Sequence, residues 1–151
     1  MRKRLMPDPP ADNEGWLDLE SVAQVEISSE EPAHPIERAF SGGGGWRSAA
    51  GGEQVVRLLF DEPRTLRTIE LKFEELEAAR TQEFLLRWSP DGGRTYLDIV
   101  RQQYTFSPPG TTSEAERFTV NLSGVTALEL RIIPDINHGP AAASLSRLRI
   151  A

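Results

Sequence analysis

The stretch TQEFLLRWSPDGGRTY, residues 81–96, reads as one alternating strand, a tight turn and the start of a second strand. Phe84, Leu86 and Trp88 fall on one side and Glu83 and Arg87 on the other, the period of two that a half-buried strand requires. Pro90 and Asp91 suit the opening of a reversal, and Gly92 and Gly93 can take the positive φ that completes it. A hairpin in mid-chain sets the expectation of an antiparallel, all-β protein.

Outward from the hairpin the same grammar repeats. Val22, Val25 and Ile27 mark a first strand ending at Ser28-Ser29. Pro35 to Phe40 suits a single helical turn, since proline is tolerated at a first helical position, and the glycine loop Ser41–Gly45 follows. Val55–Phe60 (VVRLLF) reads as a strand buried on both faces, and Leu66–Glu74 alternates through Ile69, Leu71 and Phe73. The second hairpin strand runs from Arg94 to about Gln103, and a long loop covers Tyr104 to Ser113. Phe118, Val120 and Leu122 predict a strand closed by a turn at Ser123-Gly124. Leu128, Leu130 and Ile132 predict another stopped by Pro134, and Leu148 and Ile150 the last. Only Glu74–Glu83 has high helix propensity, and it is too short to stand alone, so it is expected as an excursion between strands. About eight strands without crossover helices predict an antiparallel jelly-roll β-sandwich.

Composition bounds the function. The 151 residues make one domain with a tail, expected as a flexible segment over 1–15 and a sandwich over 16–151. A chain this long buries about 68–70% of its unfolded surface and needs no staple. There are no cysteines, so disulfides and thiolate metal sites are excluded. A net charge of −6 argues against nucleic acid as a partner. No apolar run approaches the roughly 20 residues of a membrane span. No signal-like apolar run follows the basic cluster Arg2-Lys3-Arg4. The chain as written is therefore expected to be cytoplasmic, or extracellular if a leader has been trimmed from it.

The order of the segments resembles the discoidin domain, also called the coagulation-factor C-type domain, a galactose-binding-like β-sandwich. The resemblance rests on Val25–Glu30, Ala39–Ser48, Gly52–Phe60, Ile69–Leu71 and Leu86–Tyr96. It implies an eight-stranded jelly roll with its ends close together and ligand loops gathered at one end. Such domains bind glycans, phospholipids or proteins and are usually modules rather than catalysts. The resemblance also implies a structural calcium in the loop Phe40–Trp46. This sequence departs from that pattern: Ser41 stands where an aspartate is usual, and the last strand, Ser144-Leu145-Ser146-Arg147-Leu148, lacks the usual late acidic ligand. No cofactor is therefore expected. Ser89–Tyr96 also looks like the Asp-box turn of sialidase-type propellers, but it occurs once and reads as a hairpin turn alone.

Candidate chemistry is sparse. His34 and His138 are the only histidines, both between loop-forming residues, and neither has the neighbours a zinc site needs. No Gly-x-Ser-x-Gly elbow accompanies them. The four-glycine run lacks the ending of a phosphate loop and reads as a connection letting backbone pass close to a strand. Glu74, Glu75 and Glu77 read as a solvated charged edge. Sugar recognition pairs an aromatic face with hydrogen-bonding side chains. That pattern selects His34, Trp46, Arg47, Tyr104, Phe106 and His138 as candidate ligand-binding residues, with Trp46 also suited to the core. The expected function is non-catalytic recognition of a carbohydrate or glycosylated surface. The alternative is a protein-interaction or assembly module.

Overall fold

Alternation of apolar and polar residues builds a bent antiparallel sandwich in the computed structural model, which describes residues 1–3 and 15–151. In chain order its elements are α1 (Leu19–Val22), β1 (Ala23–Ile27), α2 (Glu37–Ser41), β2 (Trp46–Gly51) and β3 (Gln54–Glu74). They continue with β4 (Arg80–Ser89), β5 (Leu97–Phe106), β6 (Ser113–Ile133), β7 (Ala142–Leu145) and β8 (Arg147–Ile150). The main sheet has the order β1-β3-β6-β4-β5, with β8 also on β3, while β2 and β7 pair separately. Of the expected 1–15 tail, residues 4–14 lie outside the described residues.

Strands β3 and β6, 21 residues each, pair from Gln54↔Ile132 to Glu74↔Ser113, with register shifts between Leu59 and Thr68. Before the shifts β3 lies between β1 and β6; after them it lies between β6 and β8. The two strands thus turn the corner of the sandwich and serve both layers. Sequence reading expected four shorter strands and a turn at Ser123-Gly124. Gly124 has φ 68° but lies inside β6, so this glycine bends a strand without reversing it.

The core lies between the layers, formed by Val56, Leu58, Leu66, Ile69, Leu71, Phe73, Phe84, Leu86, Leu130, Ile132, Leu148 and Ile150. The ring centroids of Phe73 and Phe84 are 5.2 Å apart. VVRLLF is not buried on both faces: Val56, Leu58 and Phe60 point inward, while Val55, Arg57 and Leu59 are half-exposed. The outer face is covered instead by charges in register, with Glu26 opposite Arg57 and Glu129 opposite both Arg57 and Arg87.

The hairpin forms as expected, from Trp88↔Leu97 to Arg80↔Phe106. The Leu17 N–H donates to the Ile150 carbonyl at 2.8 Å, bringing the start of the sandwich to its end. Among the described residues no helix is long and apolar enough to cross a membrane.

Candidate ligand-binding site

Three loops and the β7–β8 junction meet at one end of the sandwich. Between β1 and β2 the Glu31 N–H donates to the Arg47 carbonyl at 2.9 Å, and the Arg47 N–H to the His34 carbonyl at 3.2 Å. These bonds hold His34 and Arg47 side by side although thirteen positions separate them. The His34 imidazole also lies 3.1 Å from Glu31 Oε2. The chain then runs through the glycine loop into β2, where it presses against the β7–β8 junction. A Cβ on Gly45 would fall 2.6 Å from the Leu145 carbonyl oxygen and 2.7 Å from Ser146 Cα. The glycine run thus does let backbone pass close to a neighbouring strand.

The opposite wall is the loop between β3 and β4. The Ser144 hydroxyl donates to the Glu74 carbonyl at 3.1 Å, and Lys72 Nζ lies 3.2 Å from the Glu74 carboxylate. Between the walls is a cavity of about 220 Å³ lined by His34, Arg47, Glu74, Glu77, Ser144 and Ser146, with Leu76 on its rim. Leu76 is 70% exposed, an unusual position for a leucine. Among the described residues the Arg47 guanidinium and the Glu77 carboxylate have no side-chain partner. The site therefore offers a free donor fork, a free acceptor, an imidazole, two serine hydroxyls and one apolar side chain.

Of the six residues selected from sequence, the structure brings His34 and Arg47 together in this cavity. Trp46 borders it but is 1% exposed, its indole N–H donating to the Ser29 carbonyl at 3.0 Å. It is a core residue with no face for a ligand. Phe106 is fully buried because β5 extends through it, and the Arg80 guanidinium lies 4.9 Å from its ring centre. Tyr104 is half-buried against Phe106, with centroids 5.0 Å apart, and its hydroxyl donates to the Ser113 carbonyl at 3.0 Å. The expected Tyr104–Ser113 loop begins only at Ser107, which is why both rings turn inward. His138 is exposed in a turn at φ 61°, its N–H donating to the Asp135 carbonyl at 3.0 Å. It does not line the cavity.

Sequence reading missed the residue that holds this end together. Arg80 is buried, its Nε donating to Glu75 Oε1 at 2.7 Å and Nη1 to the Pro134 carbonyl at 2.7 Å. Burial on its own would raise the Glu75 carboxyl. Hydrogen bonds from Arg80 and the Glu77 N–H outweigh it and hold the group below the usual carboxylate range. Glu75 is thus a buried anchor, not part of a solvated edge, and Glu75–Ala79 forms a turn instead of a helix. The signal was a lone basic residue ending an acidic, helix-prone run, and helix propensity concealed it.

The structural calcium implied by the resemblance does not fit the glycine loop. Arg147 Nη2 lies 3.5 Å from where a Gly42 Cβ would be, which brings a positive charge to a loop without carboxylates. Among the described residues no group of three or more His, Cys, Asp or Glu could hold a metal.

No family model and no curated protein matches this chain. Solved structures do. The chain is similar to a Clostridium perfringens module, CpGH89CBM32-5, in complex with GalNAc-β-1,3-galactose. That match has TM-score 0.63 and 14% identity, covering 90% of this chain and 99% of that one. It is also similar to a pectin-binding carbohydrate-binding module, with TM-score 0.62 and 17% identity over 85% and 89% of the two chains. A third match is chitosan-binding module 1 of a chitosanase/glucanase from Paenibacillus sp. IK-5, with TM-score 0.59 and 18% identity over 85% and 94%. At these identities the likeness is one of fold. The antiparallel β-sandwich expected from the sequence is the fold this chain adopts, and it is shared with these modules.

Proposed function

We propose that this chain is a non-catalytic carbohydrate-binding module that holds a sugar in the loop-end cavity. The observation that carries this reading is the convergence of Arg47, His34, Glu77, Ser144 and Ser146 around one open cavity. Bidentate donors and free acceptors of this kind satisfy vicinal hydroxyls, and exposed Leu76 can cover the C–H face of a pyranose in place of an aromatic ring. The fold supports the same reading, because the similar modules from Clostridium perfringens and Paenibacillus are described as binding sugars. His34 faces Glu31, and among the described residues no hydroxyl is hydrogen-bonded to its imidazole, so no Ser-His pair for acyl transfer is assembled there. Affinity for a single sugar is expected to be weak, since an open cavity encloses little of its ligand.

A glycan array probed with the purified chain and with Arg47→Ala tests the proposal. Binding of a defined glycan class that Arg47→Ala loses is the expected result. Silence from folded protein across the array would overturn it and leave a protein-interaction role as the reading to pursue.

A further inference from the structure

The segment just before α1 carries an aromatic ring that the loop-end cavity does not use. The Leu17 N–H bond to Ile150 lays this segment beside β8, and Trp16 comes to rest on a row of charges. Arg149, Glu70 and Arg117 stand in register across β8, β3 and β6. Glu70 accepts from Arg149 Nη2 at 2.6 Å and from Arg117 Nη2 at 2.7 Å. The two guanidinium carbons lie 4.6 Å and 5.6 Å from the Trp16 ring centre. An indole attracts cations at such distances, so the carboxylate that fixes both guanidiniums also fixes the ring. Trp16 is half-exposed all the same.

Beside that ring is a second cavity, of about 270 Å³, lined by Trp16, Asp18, Phe40, Ser41 and Arg147. It shares no lining residue with the loop-end cavity, and the glycine loop divides the two, with Gly42 on one and Gly44 on the other. Phe40, like Trp16, is half-exposed, so this cavity has the aromatic surface that the loop-end cavity replaces with a leucine. Asp18 accepts from the Ser21 hydroxyl through Oδ2 at 2.7 Å, and among the described residues its Oδ1 has no partner. A side chain at Gly42 would begin 3.5 Å from Arg147 Nη2, so the glycine leaves that wall to the guanidinium.

We infer that this cavity is a second sugar-binding site, which seats a neutral pyranose against Trp16 and Phe40 with Asp18 and Arg147 on its hydroxyls. The inference goes beyond the loop-end reading and does not depend on it. Aromatic rings cover the C–H face of a pyranose, while an acceptor and a donor fork satisfy its hydroxyls. Asp18 and Arg147 carry opposite charges that offset one another, so the cavity suits an uncharged ring. Two weak sites on one module give avidity for a polysaccharide long enough to reach both.

The chain's three tryptophans make the test direct, because each indole N–H signal reports on a different region. Trp16 lines this cavity, Trp46 borders the loop-end cavity, and Trp88 pairs with Leu97 beside the hairpin turn. Isotope-labelled protein is titrated with galactose, glucose, mannose and N-acetylglucosamine, each to about 50 mM, a range that covers millimolar sites. At least one sugar is expected to move the Trp16 signal saturably, together with the amides of residues 40–42 and 147, and to leave Trp88 unmoved. Arg147→Ala is expected to weaken that response about tenfold without altering any response at Trp46. Asp18→Asn, which keeps the size of the side chain, is the milder variant and is expected to act in the same direction. Trp46 and Trp88 signals at their wild-type positions show that the variants are folded. A Trp16 signal that no sugar moves, or that moves alike in the wild type and both variants, would overturn the inference. Shifts confined to residues 34, 47 and 74–77 would overturn it while leaving the loop-end reading standing. Shifts at Trp16 without any at the loop end would support it and count against that reading.

Discussion

Glu129 is fully buried on the outer face of the main sheet, beneath three guanidiniums. Arg57 reaches it at 2.8 Å and Arg131 at 2.7 Å; Arg87 is the third. Burial would raise its carboxyl, but the hydrogen bonds from Arg87, Arg57 and Arg131 outweigh it and hold the group low. Removing one member of a buried charge cluster strands the others. Glu129→Ala is therefore expected to cost about 3–5 kcal/mol in urea unfolding; a loss near zero would show the arginines to be adequately solvated without it. Glu114 works in the opposite sense. Burial, with Glu116 nearby, pushes its carboxyl from 4.5 up to about 7. Between those values the folded state keeps a proton that the unfolded state has released, so the Glu114 contribution to stability falls as pH rises through the window. Glu114→Gln is expected to remove that slope, measured as the difference between the two proteins' unfolding free energies from pH 4.5 to 7.5 (a window set by the linkage relation). Parallel pH profiles would contradict the assignment. Neither role was legible in the sequence, because a charged residue in an alternating strand is assigned to solvent by default. Only the register shows Glu129 opposite two arginines.

At the scale of elements, the hairpin that reads most plainly serves the end opposite the candidate site. Its turn is held by Ser89, whose Oγ accepts from the Gly93 N–H at 2.9 Å, and by Asp91, which accepts from the Thr95 hydroxyl at 2.6 Å. Hydrogen bonds from Thr95 and Ser89 hold the Asp91 carboxyl down to about 2. From that turn to Arg80 is the length of β4, about 30 Å at strand rise. The site end depends instead on two features with weak local signatures. The Glu75–Arg80 pair, both buried, ties the β3–β4 loop to Pro134. Arg80→Ala is expected to leave Glu75 unpaired and open residues 75–79, seen as faster amide exchange there than in β4. Unchanged exchange would show that the loop holds itself. The second feature is Gly45, at φ 86° and without room for a Cβ. Gly45→Ala is expected to lower stability by about 1–3 kcal/mol through strain and displacement of β7, checked by thermal unfolding. Strand existence was legible from period-two patterning. Strand continuity was not, because β3 and β6 carry their bends at residues that also serve as turn formers.

For the whole molecule, the bent pairing of β3 with β6 makes a single sandwich whose loops and strand ends gather His34, Arg47, Glu77 and Ser144 from distant parts of the chain. Of the candidate site, His34 on the β1–β2 loop and Arg47 at the start of β2 were legible, because both stand next to loop-forming residues in the sequence. Tyr104 and Phe106 were not, because β5 runs three residues past Gln103, its expected end, and turns both rings inward. What most needs testing is sugar binding at this loop end. Its most direct test is a titration of isotope-labelled protein with the leading glycan from the array, followed by amide chemical shifts. Saturable shifts are expected, centred on residues 34, 44, 47, 74–77, 144 and 146, with the Ser89–Tyr96 turn unmoved. Shifts centred on another surface, or none at saturating glycan, would contradict it.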